Sequence, residues 1–157
     1  MKTQAIPKGF HALTSYISVN GANEAIEFYR KAFGAKEVGR ISMPDGSIAH
    51  AELEIGDSKI MIAEENEQWG NVSPQTLGGS AVALCLYVDD VDAVFNKAIR
   101  EGAKVIGDME VKDQFYGDRA GSVTDPYGHK WSIMTHKEDV SFEEMQQRMN
   151  KMMSMSQ

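Results

Sequence analysis

The run Thr14-Ser15-Tyr16-Ile17-Ser18-Val19-Asn20-Gly21-Ala22-Asn23-Glu24-Ala25-Ile26-Glu27-Phe28-Tyr29 is echoed by Ala83-Leu84-Cys85-Leu86-Tyr87-Val88-Asp89-Asp90-Val91-Asp92-Ala93-Val94-Phe95-Asn96-Lys97-Ala98. Both copies read as strand, polar turn, helix, and a repeated supersecondary unit implies a pseudo-symmetric fold. Gly34-Ala35-Lys36 recurs as Gly102-Ala103-Lys104, with glycine at the left-handed position that ends a helix. Apolar residues recur at three and four residues in each helix: Ala22, Ala25, Ile26, Tyr29, Ala32 and Phe33 in the first, Val91, Val94, Phe95, Ala98 and Ile99 in the second. That spacing is one buried helix face.

Strand-like runs follow each helix, divided by Pro44-Asp45-Gly46 and Gly56-Asp57 in the first copy and by Asp125-Pro126-Tyr127-Gly128 in the second. These are turn sequences. The predicted fold class is α+β, two tandem β-α-β-β-β modules at 10–63 and 80–136 whose sheets curl into an open barrel-like cavity. A polar linker at 64–79 joins them, and a C-terminal helical tail occupies 137–157. In that tail Ser141 stands three residues before Glu144, a capping-box spacing, and Met145, Met149, Met152 and Met153 follow on one face, predicting a helix that frays and packs within or between subunits.

Across the 157 residues, 16 Lys and Arg stand against 23 Asp and Glu, a net charge of −7. With no clustered basic run, nucleic-acid binding is not expected. The single cysteine, Cys85, excludes an intramolecular disulfide framework and fits a reducing compartment. The sequence shows neither a secretory signal nor a spanning segment, so the expectation is a cytoplasmic protein without membrane partners.

Strand alternation assigns faces. Leu84, Leu86 and Val88 are expected against the helix, leaving Ala83, Cys85 and Tyr87 on the concave side. By the same parity Leu13, Ile17 and Val19 turn inward and Thr14, Tyr16 and Ser18 outward, Met61 faces away from Ile60 and Ile62, and Ser132 and Met134 away from Trp131 and Ile133. If Ala49, Ala51 and Leu53 face the helix, then His50, Glu52 and Glu54 share the concave face. A His-x-Glu pair there suits a proton relay or metal ligation; an edge strand presenting its polar side to water explains the same spacing, and is the reading the spacing favours.

The duplicated modules, the Asp125-Pro126-Tyr127-Gly128 turn and the Ala25-Ile26-Glu27-Phe28-Tyr29 helix resemble the vicinal oxygen chelate superfamily of glyoxalase I, extradiol dioxygenases and fosfomycin- and bleomycin-resistance proteins. The stretch Asp113-Gln114-Phe115-Tyr116-Gly117-Asp118-Arg119-Ala120-Gly121 with Trp131 is similar to its PhnB-like subgroup. The resemblance implies a homodimer and, in metal-dependent members, ligands on the first and last strands of each module. Those places fall on Thr14, Met61, Ala83 and Ser132, a set that does not suit a divalent metal. No cofactor is therefore expected; a metal would require His50 and Glu52 with one of His11, His136 or Asp118.

Two functions follow. One is metal-independent binding of a small apolar or aromatic molecule by Thr14, Tyr16, Met61, Trp69, Cys85, Tyr116, Arg119 and Ser132, with Arg119 either forking onto an anionic group or engaged in a salt bridge. The other is a glyoxalase-like lyase or isomerase, or a dioxygenase-like enzyme, with His50 and Glu52 as catalytic residues. The sequence leaves open whether any reaction is catalysed.

Overall fold

A computed structural model describes residues 3–155. In the first module, β1 (Ser15–Val19) leads to α1 (Ala22–Phe33), β2 (Lys36–Ser42), β3 (Ile48–Ile55) and β4 (Ser58–Glu64). A 3₁₀ turn (Glu67–Trp69) and α2 (Pro74–Leu77) follow. The second module runs β5 (Ala83–Tyr87), α3 (Val91–Arg100), β6 (Lys104–Val105), β7 (Lys112–Asp113), β8 (Asp118–Thr124) and β9 (Lys130–His136), and α4 (Phe142–Met155) closes the described chain.

Each module forms its own sheet, ordered β1-β4-β3-β2 and β5-β9-β8-β6, with β7 also paired to β8. First and last strands pair in parallel, β1 with β4 and β5 with β9; such pairing needs a crossover, which the module helix begins. The sheets do not close into a barrel. The helix-facing side chains of both sheets instead enter one core with α1 and α3, where Trp131 packs 5.6 Å from the Tyr29 ring and 4.6 Å from the Phe33 ring. At its centre the buried Asp125 accepts from the Tyr29 hydroxyl at 2.6 Å and the Trp131 indole at 2.9 Å, and from the backbone N–H of Tyr127 and His129. The turn of the second module thus clamps the helix of the first.

Two positions depart from simple alternation. Leu13 lies before β1 and is 91% exposed. The register of β2 against β3 slips between Ile41 and Ser42, and a bulge reverses side-chain parity. Ile48 is therefore buried where Ala49 was expected, while Ala51 and Leu53 hold their inward places.

The 64–79 stretch folds onto the first module. Glu65 accepts from the Ser73 N–H at 3.0 Å, from the Thr76 hydroxyl and from Asn20, and Pro74 opens α2, where its missing N–H costs nothing. Helix α4 begins with the Glu144 N–H on the Ser141 hydroxyl and continues to Met155 rather than fraying. Arg148 pairs with Glu144 within the helix and ties it to Glu138 and the Phe115 carbonyl.

Candidate binding faces on the two sheets

Because both helices occupy the shared core, each sheet keeps one face outside it. On the first, the rows set by pairing place Tyr16, Met61 and Glu52 side by side, with His50 beside Ile41 in the next row. The His50 and Tyr16 rings stack at 5.9 Å. Glu52 is engaged by Lys59 at 3.3 Å, whose ammonium also lies 4.4 Å over the Phe10 ring. The expected His50 and Glu52 do share a face, although the Glu52 carboxylate already holds a cation.

On the second sheet Cys85, Ser132 and Ser122 form one row, and Tyr87, Met134, Ala120 and Lys112 the next. The Ser122 and Ser132 hydroxyls are 3.0 Å apart. They open into a hollow of about 360 Å³ shared with Tyr116, Gln114 and Met109. At the other edge, a cleft of about 540 Å³ runs between the modules, lined by Cys85, Tyr87, Ser15, Lys59 and Ile60. Ala120 and Met134, the apolar floor between cleft and hollow, are nearly buried. Burial raises the Tyr116 phenol above its ordinary range, with help from the nearby Asp118 and Cys85.

A hydrogen-bonded chain crosses this face. Asp118, 6% exposed, accepts from the Tyr87 hydroxyl at 2.8 Å and pairs with His136 Nδ1 at 2.7 Å, while His136 Nε2 meets Asp139 at 2.9 Å. The bond to Asp118 raises Tyr87, and bonds to Asp118 and then Asp139 raise His136. Alternation placed Tyr87 on this face; the parity of β8 would have added Asp118, and only the β8–β9 register, Asp118 opposite His136, completes the chain.

The remaining expected residues are dispersed. Arg119 points to the helix side of its strand, where Nε and Nη2 bond both Asp92 oxygens at 2.8 Å and Nη1 reaches Asp113 at 3.2 Å. Of its two readings the structure shows the salt bridge, to Asp92 on α3 and to Asp113; those bonds hold its pKa above the ordinary arginine value. Thr14 lies ahead of β1 and donates to the His11 carbonyl. Trp69, 57% exposed, lines a separate hollow with Met43, Ser47 and Ala49. Tyr16 and Met61 stand on the first sheet, Cys85, Tyr116 and Ser132 on or beside the second.

The positions that the resemblance marks for metal ligands carry a hydroxyl already bonded to a carbonyl (Thr14), a thioether (Met61), a methyl (Ala83) and a hydroxyl paired with another (Ser132). That donor set does not fit a divalent cation. His50 and Glu52 are on a different sheet from Asp118 and His136, and among the described residues no group of three His, Cys, Asp or Glu side chains is placed to hold a metal ion.

Residues 9–133 match the Glyoxalase/Bleomycin resistance protein/Dioxygenase superfamily. The chain belongs to this superfamily. An uncharacterized protein of Mycobacterium tuberculosis is 41% identical over 142 residues, covering 88% of this chain and 82% of its own. A solved gene product of Arabidopsis thaliana superposes with a TM-score of 0.62 at 28% identity, covering 79% of this chain and 98% of that one. The fosfomycin resistance protein FosX of Listeria monocytogenes shares the fold at 15% identity, with a TM-score of 0.63 over 86% of this chain and 97% of its own. A PhnB protein from Bacillus cereus shares it at 19% identity, with a TM-score of 0.62 over 80% of this chain and 99% of its own. No helix among the described residues is long and apolar enough to cross a membrane.

Proposed function

We propose that this superfamily member binds a small apolar or aromatic molecule without a resident metal, using the open face of the second sheet as the principal wall. The carrying observation is the register of that face, which sets Cys85 and Tyr87 of the cleft beside Ser132, Ser122 and Ala120 of the hollow, with Tyr116 at the hollow's wall. A concave apolar surface with a few converging polar groups is the ordinary form of a ligand site. The first sheet's open face exposes Tyr16 and Ile41, and adjoining exposed apolar side chains mark contact surfaces. A second copy of the chain in a homodimer is the occupant that would turn two open faces into enclosed cavities.

The test is an NMR titration of the full chain with small aromatic probes, alongside sedimentation to give the oligomeric state. Shifts clustered at Cys85, Tyr87, Tyr116 and Ser132 in a dimer support the reading; saturable shifts confined to the first sheet, or a monomer that binds nothing, refute it. The enzymatic alternative rests on His50 and Glu52 sharing one face. It requires Glu52→Gln to abolish turnover of a carbonyl substrate while leaving probe binding intact.

A further inference from the structure

Resting on that reading of the second-sheet face, we infer that Tyr87 is its specificity-determining residue and acts as a hydrogen-bond acceptor, selecting neutral planar ligands that carry an N–H or O–H donor. The argument starts from Asp118. A carboxylate this buried must be satisfied, and neighbouring Arg119 turns to the opposite face. Its partners are the Tyr87 hydroxyl and His136. His136 has a carboxylate at each ring nitrogen, so the form that satisfies both is the imidazolium, which donates from both. Asp118 accepts a hydrogen bond from each neighbour and stays ionised.

That fixes the polarity of Tyr87. Its single proton is committed to Asp118, and the phenol oxygen has only lone pairs left for anything approaching along the cleft. Donation to a charged acceptor polarises the hydroxyl and strengthens the oxygen as an acceptor in turn. A tyrosine serving only as a strut would be expected to bury its ring; Tyr87 is 61% exposed, although holding a side chain in one rotamer costs entropy. The ring is thus fixed in place and left open. The Asp118 charge next to Tyr87 is met by the His136 imidazolium at 2.7 Å, and Lys59 in the cleft with Lys112 and Lys130 on the same sheet face disfavours a cationic donor and leaves neutral ones. Tyr116, whose hydroxyl has no hydrogen-bond partner among the described residues, offers a second polar contact nearby.

Two matched probe pairs test this by amide-shift titration of the full chain: indole against 1-methylindole, and phenol against anisole. Each pair keeps the ring and removes the donor. In the wild type the donor-bearing probe should bind about tenfold more tightly, as one hydrogen bond to a polarised acceptor implies, with shifts at Cys85 to Tyr87. Tyr87→Phe, which keeps the ring at an exposed position, should reduce that ratio to about one. Asp118→Asn supplies an amide that can donate to Tyr87, freeing its hydroxyl to donate, and should also erase the preference. Equal binding of both members of each pair at this face would overturn the inference and leave the binding reading standing. Absence of any shift on the face would overturn both, and a preference for donors that survives Tyr87→Phe would overturn the role of Tyr87.

Discussion

Replacing Asp125 with asparagine changes one atom at the junction of the modules, and the structure sets what it should cost. Oδ1 accepts from two backbone N–H groups, of Tyr127 at 2.9 Å and His129 at 3.0 Å, and Oδ2 from the Tyr29 hydroxyl at 2.6 Å and the Trp131 indole at 2.9 Å. Asparagine keeps one oxygen, best placed on the backbone pair. Its NH₂ then faces Tyr29 and Trp131. The Tyr29 hydroxyl can rotate and accept, but the indole N–H has no alternative and Trp131 is buried. A charge-assisted bond is lost and a donor is left orphaned, together about 2–4 kcal/mol. For a chain of this size that corresponds to roughly 4–16 °C in Tm. Tyr29→Phe removes a single donor from a carboxylate that keeps three others, and should cost about 1.5–3 kcal/mol.

Urea unfolding at neutral pH followed by tryptophan emission is the assay, because Trp131 is buried while Trp69 already faces water. The double variant discriminates further. In the Asp125→Asn background Tyr29 no longer donates to a charge, so the two losses should fall short of additivity by about 1 kcal/mol or more. An Asp125→Asn protein within about 0.5 kcal/mol of wild type, a difference typical of neutral surface changes, or a double variant that is strictly additive, would refute the assignment of this carboxylate as the clamp.

His136 gives a pH prediction. Its folded-state pKa is raised, first by Asp118 and then by Asp139; the stabilisation is therefore complete below the unfolded value of about 6.5 and is lost as pH rises through the folded value. Between pH 5 and 9 the Tm advantage of wild type over His136→Gln should be largest at the acidic end and shrink towards the alkaline end, and a constant or growing gap would contradict the pairing. Gly121 faces the core side of β8, where an added Cβ would lie 2.7 Å from the Phe95 ring and 2.9 Å from Val111. Gly121→Ala should cost about 1–3 kcal/mol of overpacking, measured by urea unfolding; an unchanged midpoint would show that Phe95 can move aside.

What could be read directly from the sequence is what repeats. Helix periodicity and strand parity specify Ala25, Ile26 and Tyr29 of α1, Phe95 and Ala98 of α3, and the inward Ile17, Val19, Ile62, Trp131 and Ile133, because burying an apolar face is a local demand that the chain states at every turn. Parity failed where backbone geometry broke the count, at the bulge that buries Ile48 in place of Ala49. It also left Arg119 undecided, since a guanidinium's partner is set by the helix packed beneath its strand, and Asp92 lies 27 residues away. The Tyr87–Asp118–His136 chain was illegible for the same reason: each member is ordinary alone, and only the register of β8 on β9 makes them neighbours.

The duplication also shows which parts of a module are constrained. Paired positions of the two copies hold apolar residues on the core side, Ile17 with Leu86 and Ile62 with Ile133, yet diverge on the open side, Tyr16 with Cys85 and Met61 with Ser132. The helix caps diverge in chemistry but not in origin. In the first copy Glu64, ending β4, accepts the Gly21 and Ala22 N–H groups at 2.7 and 2.8 Å; in the second, Thr135 near the end of β9 accepts the Val91 N–H at 2.9 Å while its hydroxyl donates to the Val88 carbonyl. In both, the last strand holds the start of the helix, satisfying donors that a helix leaves free. Gly21 cannot cap with a side chain of its own, so the glutamate must reach further than the threonine, which has Asp90 beside it to accept the Ala93 N–H. Glu64→Ala should therefore weaken the first module by about 0.5–2 kcal/mol, more than Asp90→Ala weakens the second, where the Thr135 bond remains. Urea midpoints of the two variants give the comparison, and a larger loss at Asp90 would show that the strand-borne caps are incidental.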